Sequence, residues 1–275
     1  MIQNKAMLAR LSISQWTGKA FDKKVSAEVE QAHGAHDAGR FNKLLVSKSL
    51  LEPISKLAGE VRKYHYSVTL PWSDSGERLL PSKLFMDYTA RMREFRGTMD
   101  TLVSDLVAAY PNEVQVARNR LGTMYDPGDY PDPSDIRETF GLTFEFTPVP
   151  DAKDFRVDVS DEAADEIRTS IKQAVSTRQT EAVKACFDRI REVVSKIAER
   201  LSDEKAIFKD SLINNAVDLC RVLDGLNITD DPQITHLCAE IKENLLINPS
   251  TLRNRPDIRS VVAGHAASIL TRIPS

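Results

Sequence analysis

The stretch SDEAADEIRTSIKQAVSTRQTEAVKACFDRIREVVSKIAERL (residues 160–201) contains neither proline nor glycine. Ile167, Ile171, Ala174, Val183, Cys186, Ile190, Val193, Ile197 and Leu201 recur through it at helical spacing. Ser160, followed by Asp161, Glu162 and Asp165, gives an acidic start that the helix dipole favours. A straight helix of this length runs roughly 60 Å. That exceeds an ordinary globular helix and predicts a coiled-coil-like arm or a hairpin. Downstream, a second helix is expected to start after a break at 202–203. It carries Phe208, Leu212, Val217, Leu219, Val222 and Leu223 and stops at Gly225. Two shorter helices over 231–246 and 256–269 close the chain. Residues 161–275 therefore read as a helical region suited to self-association or partner binding.

Residues 1–160 are mixed in character. Alternation over 8–16 predicts a strand, and Phe21, Val25 and Val29 a short amphipathic helix. A loop bracketed by Gly34 and Gly39 leads to a short strand over 43–47. From Ser49, a strong helical pattern runs through Leu50, Leu51, Ile54, Leu57, Val61 and Tyr64, with Pro53 placed in the first turn. That helix should fade near Tyr66, because Leu70 precedes a proline. Residues 73–81 read as a loop. Ser82 then caps a helix to about residue 110, and another helix begins after Pro111. DPGDYPDPSD (126–135) forbids regular structure. Strands are expected over 142–148 and 155–159. The fold class is α+β, mostly α: a small antiparallel sheet with packed helices, followed by a long-helix C-terminal portion.

Composition narrows the function. The chain has 275 residues, 41% of them hydrophobic and 28% charged, which fits a soluble globular protein. No apolar run is long enough to cross a membrane, and the N-terminus lacks the apolar core of a signal peptide. Three cysteines (Cys186, Cys220, Cys238) without a CxxC pair fit a reducing, cytoplasmic setting. The net charge of −3 conceals an asymmetry: 18 Lys and Arg against 13 Asp and Glu over residues 1–125, but 19 against 27 over 126–275. Any phosphate-binding surface is then local and N-terminal. The acidic region serves either as a solvated face or as a surface for a basic partner.

Catalytic and metal motifs are missing from the sequence. His33, His36 and Asp37 lie in a glycine-bracketed loop, with no second ligand pair at a supporting spacing. The cysteines fall on apolar stripes and read as core. There is no P-loop, dinucleotide turn or nucleophile elbow. The chain is expected not to be an enzyme and to need no cofactor.

The remaining chemistry lies in RKYHYSVTLPWSDSGERLLP (62–81), which mixes basic and aromatic residues. Arg62, Lys63 and Arg78 suit phosphates, and Tyr64, Tyr66 and Trp72 suit base stacking. On a helix, the consecutive residues 62–66 point all round; in an extended segment, alternate residues share a face. The competing reading makes Tyr64 and Tyr66 core residues and wedges Trp72 under a loop. Arg91, Arg93 and Arg96 form a second basic patch on the next helix. Arg253, Arg255 and Arg259 form a third, which Pro256 would present on a loop.

LARLSISQWTGKAFDKKV, DAGRFNKLLVSK, the 62–81 segment and DYPDPSDIRETFGLTFEFTPVPDAKDFRVDV occur in that order. Together they resemble a family of uncharacterised proteins from tailed phages and mobile elements. Genes of that family can lie near recombination and replication functions. The chain is also similar to a phage single-stranded-DNA-binding cofactor that brings RNA polymerase to DNA. The resemblance spans roughly residues 1–160. It implies a sequence-independent single-stranded DNA binder acting in transcription or replication, with a phage RNA polymerase as partner and the host cytoplasm as its setting. The alternatives are a helical scaffold that partners an ATPase without touching nucleic acid, and an inhibitor that docks its acidic patch on a host enzyme.

Overall fold

The computed structural model describes residues 2–154, 160–203 and 205–274. The protein is α+β and mostly α, at 68% helix with a small four-stranded antiparallel sheet and a long C-terminal helical portion. The strands are β1 (Ala6–Ser14), β2 (Lys19–Phe21), β3 (Asn42–Leu44), β4 (Leu70–Pro71), β5 (Glu77–Pro81) and β6 (Gly141–Pro148). The main sheet has the order β4-β5-β1-β6, and β2 pairs with β3. The helices are α1 (Lys23–His33), α2 (Lys48–Val68), α3 (Phe85–Leu121), α4 (Pro133–Glu138), α5 (Asp161–Ser202), α6 (Ser211–Leu226), α7 (Pro232–Asn244), α8 (Pro249–Asn254) and α9 (Pro256–Leu270). The strand expected over 155–159 lies outside the described residues. Contacts gather the chain into two units, one of Met1–Arg10, His65–Tyr88 and Glu145–Ser275, the other of Leu11–Tyr64 and Thr89–Phe144.

In the first unit, α5 is one unbroken helix of 42 residues, and Ser160 caps it by accepting from the Ala163 N–H. The hairpin alternative is thereby excluded. Nor is its C-terminal half a free arm. Cys186, Phe187, Ile190, Val194, Ile197 and Leu201 are buried at helical spacing, and α5 packs against α6 and α9. Each such side chain contributes roughly 1.5–3 kcal/mol of apolar burial. The core continues through Leu219, Leu223, Leu237 and Ile241 to Leu8, Leu70, Leu79 and Trp72. Gly225 does not stop α6 but lies within its last turn, where a Cβ would stand 2.6 Å from the Leu84 side chain. That close approach is what requires glycine. The helix α8 was not foreseen in the sequence.

Residues 73–81, read as a loop, contain β5. Ala6 to Arg10 pair antiparallel with Pro81 to Glu77, and Leu70 and Pro71 of β4 face Leu79 and Arg78. The connection is a tight hairpin that turns at Gly76, whose φ of +93° favours glycine. Ser82 opens a 3₁₀ turn ahead of α3, and its N–H donates to the Lys5 oxygen at 2.8 Å.

In the second unit, α2 buries Ile54, Leu57, Ala58 and Val61, and α3 buries Met92, Phe95, Met99, Val103, Leu106 and Tyr110. Pro53 is the sixth residue of α2, beyond its first turn. Pro111 does not divide α3, which runs on to Leu121. The acidic segment is tied down rather than loose. Lys43, 6% exposed, places its Nζ 2.6 Å from Asp129 and 3.4 Å from Asp22 and donates to the Met124 oxygen at 2.8 Å. These carboxylates hold the Lys43 pKa above its ordinary value against the opposing effect of burial. Tyr110 and Tyr130 donate their hydroxyls to the Pro131 and Leu45 oxygens.

Candidate nucleic-acid interface

Residues 62–66 are helical, in the last turns of α2, so the extended geometry that would align Lys63 with His65 and Tyr64 with Tyr66 does not occur. Each side chain takes the direction the helix gives it.

In the second unit, Arg62 and Lys63 are exposed on α2. Tyr64 is half-buried, with its ring edge-on to Phe95 at 5.9 Å. It packs rather than offering a platform. Arg91 lies over the Phe95 ring at 4.4 Å and pairs with Glu94 at 2.7 Å, and Arg93 is exposed. Arg96, the third arginine of that patch, caps the Leu142 oxygen and lies over Phe144 at 4.8 Å.

In the first unit, Tyr66 is 53% exposed and the Arg78 guanidinium lies 4.7 Å from its ring centre. Arg78 reaches this position because it faces Pro71 in the β4–β5 hairpin. Its Nε donates to the Thr69 hydroxyl at 2.7 Å and its Nη2 to the Thr69 oxygen at 3.1 Å. Arg189, from the middle of α5, donates to the oxygens of Ser67, Tyr66 and Thr69 at 2.8, 2.7 and 2.6 Å. Two guanidinium groups thus converge on the C-terminal end of α2, where unpaired carbonyls and the helix dipole favour cations. Neither arginine pairs with a carboxylate among the described residues. Burial, together with the neighbouring Arg189 charge, lowers the Arg78 pKa, and burial lowers that of Arg189.

Beneath them, His65 is buried with Nδ1 2.8 Å from the Tyr88 hydroxyl. Burial and then the Arg78 charge push its pKa down to about 4, so it is neutral at pH 7.

Trp72 is not the exposed platform the sequence suggested. It is 7% exposed and belongs to the first unit's core. The strand β4 that precedes it aims it inward, whatever the polarity of Ser73, Asp74 and Ser75. Arg178 of α5 lies over its ring at 5.5 Å. Both line an open cleft of about 490 Å³ with Ser73, Asp74, Ser170 and Glu181.

The third basic group is absorbed by structure. Arg253 bonds to the Phe208 oxygen and to Asp210, and Arg255 pairs with Asp257 at 2.7 Å. Arg259, 7% exposed, caps the C-terminus of α5 through the oxygens of Arg200 at 2.7 Å and Leu201 at 3.2 Å, and through those of Asp203 and Ala206.

The structure therefore brings together Tyr66 and Arg78 of the sequence-based candidates and adds Arg189. No local motif marked Arg189, which lies more than 100 residues from the carbonyls it holds. Among the described residues, no group of three His, Cys, Asp or Glu side chains could hold a metal ion, and no helix is long and apolar enough to cross a membrane. No protein-family model, curated protein or solved structure matches the chain.

Proposed function

We propose that the protein binds single-stranded nucleic acid without sequence preference and serves transcription or replication as a cofactor. One observation carries this reading: a half-exposed tyrosine ring lies beside the Arg78 guanidinium, Arg189 holds the backbone of the same turn, and neither arginine pairs with a carboxylate among the described residues. A base can stack on Tyr66 while the Arg78–Arg189 pair attracts the adjoining phosphate. The pair also holds the ring in place, because both arginines are fixed by backbone oxygens. On the second unit, Arg62, Lys63, Arg91 and Arg93 would offer unspecific backbone attraction of their own. Exposed Asp132, Asp135 and Glu138 are proposed to meet a basic polymerase partner. The test is a fluorescence-anisotropy titration of the full chain with labelled single-stranded oligonucleotides at two salt concentrations. Binding that weakens steeply with salt supports the reading, and absence of binding at low salt overturns it.

A second reading, a protein-binding adaptor, is favoured by a different observation. The helix α1 buries none of its residues, and Phe21, Val29 and Phe41 are all exposed in the same unit. Loss of oligomerisation or partner capture on Phe21→Ser, with no nucleic-acid binding by the parent chain, would favour the adaptor.

A further inference from the structure

Cys220 of α6 and Cys238 of α7 face one another across a buried seam. The Sγ of each lies 3.9 Å from the backbone oxygen of the other. Such reciprocity requires the two residues to sit side by side, with each side chain directed at its neighbour. Both residues are almost fully buried, at 2% and 1% exposure. The third cysteine, Cys186, stands apart and donates to the Leu226 oxygen at 3.8 Å.

A buried cysteine is commonly a small apolar filler. Two that meet in this way have a further chemistry open to them, because little backbone movement separates the dithiol from a disulfide. We propose that Cys220 and Cys238 form a reversible intrachain disulfide in response to hydrogen peroxide, clamping α6 to α7.

The Cys238 thiolate attacks one peroxide oxygen and the O–O bond breaks, leaving a sulfenic acid on Cys238 and hydroxide that takes up a proton. The Cys220 thiol then loses its proton and its sulfur attacks Cys238 Sγ. The S–O bond breaks and a second water departs. In sum, two thiols lose two electrons and two protons, and one peroxide becomes two waters. A small-molecule dithiol reverses the reaction by exchange.

The order of events follows from the surroundings. The neighbouring Cys220 thiol favours the Cys238 thiolate, and Lys242, one turn further along α7, adds its positive charge. Cys220, beside Cys238 and buried, holds its proton more tightly than an ordinary thiol. Burial pushes the Cys186 thiol up to about 11, which makes it a poor competitor. Peroxide is small enough to enter by local opening of the seam, and the closed loop of 18 residues restrains the unfolded chain.

The experiment exposes the native full chain to hydrogen peroxide, blocks remaining thiols with an alkylating agent, and maps the peptides without reduction. The expected result is a peptide pair joining Cys220 to Cys238, one alkylated thiol at Cys186, and full reversal by dithiothreitol. The oxidised chain should melt at a higher temperature than the reduced one. Cys186→Ser should retain the link, and Cys220→Ser should lose it and carry Cys238 on to the sulfinic acid. Three alkylated thiols after treatment, a link through Cys186, a link between chains, or a link that forms only in denaturant would each overturn the proposal. The principal readout is on the parent chain, so it stands even if a variant fails to fold.

Discussion

Arg189 donates to the backbone oxygen of Tyr66 at 2.7 Å, so a side chain from the middle of α5 fixes the last turn of α2 and with it the half-exposed Tyr66 ring. The carbonyls of Ser67 and Thr69 depend on the same guanidinium. Charge-assisted bonds of this kind are stronger than neutral ones, and Thr69, whose carbonyl would be stranded, is buried. Arg189→Met is expected to destabilise the protein by about 2–3 kcal/mol. Chemical denaturation checks this, and Arg189→Lys should recover part of the loss.

Acid should act on the same region through His65. Its folded pKa of about 4 lies below the ordinary 6.5, so at pH 7 it is neutral in both folded and unfolded chains. As the pH falls through 6.5, the unfolded chain takes up a proton that the folded chain refuses until about pH 4. Stability is therefore present above 6.5 and lost between the two values, by roughly 3 kcal/mol in all. Denaturation at pH 7 and pH 4.5 should show a smaller acid loss for His65→Asn than for the parent chain. Equal losses would show that His65 is not the group responsible.

Arg259 offers a comparable test within the first unit's core. It is buried, and its guanidinium serves the final carbonyls of α5. Arg259→Met should cost about 3 kcal/mol, because several buried acceptors lose their donor together. Arg255→Ala, at an exposed pair with Asp257, should change stability by less than about 1 kcal/mol.

Pro111 gives the opposite sign. It sits exposed in the interior of α3, where it lacks the N–H that would bond to the Val107 carbonyl. Pro111→Ala should raise stability by about 1 kcal/mol or more, since alanine restores that bond and outweighs the entropy it returns to the unfolded chain. A lower melting temperature would contradict this.

What the sequence made legible follows the range of the forces involved. The helix α5 is readable because its apolar spacing is local, and the strands around residues 6–14 and 141–148 because alternation is local too. The β4–β5 hairpin is not legible in the sequence because β4 has only two residues, Leu70 and Pro71, and the turn residues around Gly76 dominate the pattern. The direction of Trp72 is hidden for the same reason: its polar neighbours suggest exposure, but the strand before it sets its direction. Pro111 misled because a helix-breaking preference of one residue yields to a long packed face. The convergence of Arg78 and Arg189 on α2 could not be read, since it is set by tertiary packing between segments far apart in the chain.

The most direct measurement is the affinity of Tyr66→Ala for a labelled single-stranded oligonucleotide, beside the parent chain and Tyr66→Phe at low and moderate salt. Tyr66 is exposed, and its backbone oxygen, not its ring, accepts from Arg189. The fold should therefore survive the change. Loss of one stacked base is worth about 1–3 kcal/mol, so Tyr66→Ala should bind roughly 5- to 150-fold more weakly at both salts, and Tyr66→Phe should bind like the parent. Equal affinity for all three chains, or no binding by the parent at low salt, would contradict single-strand binding at Tyr66.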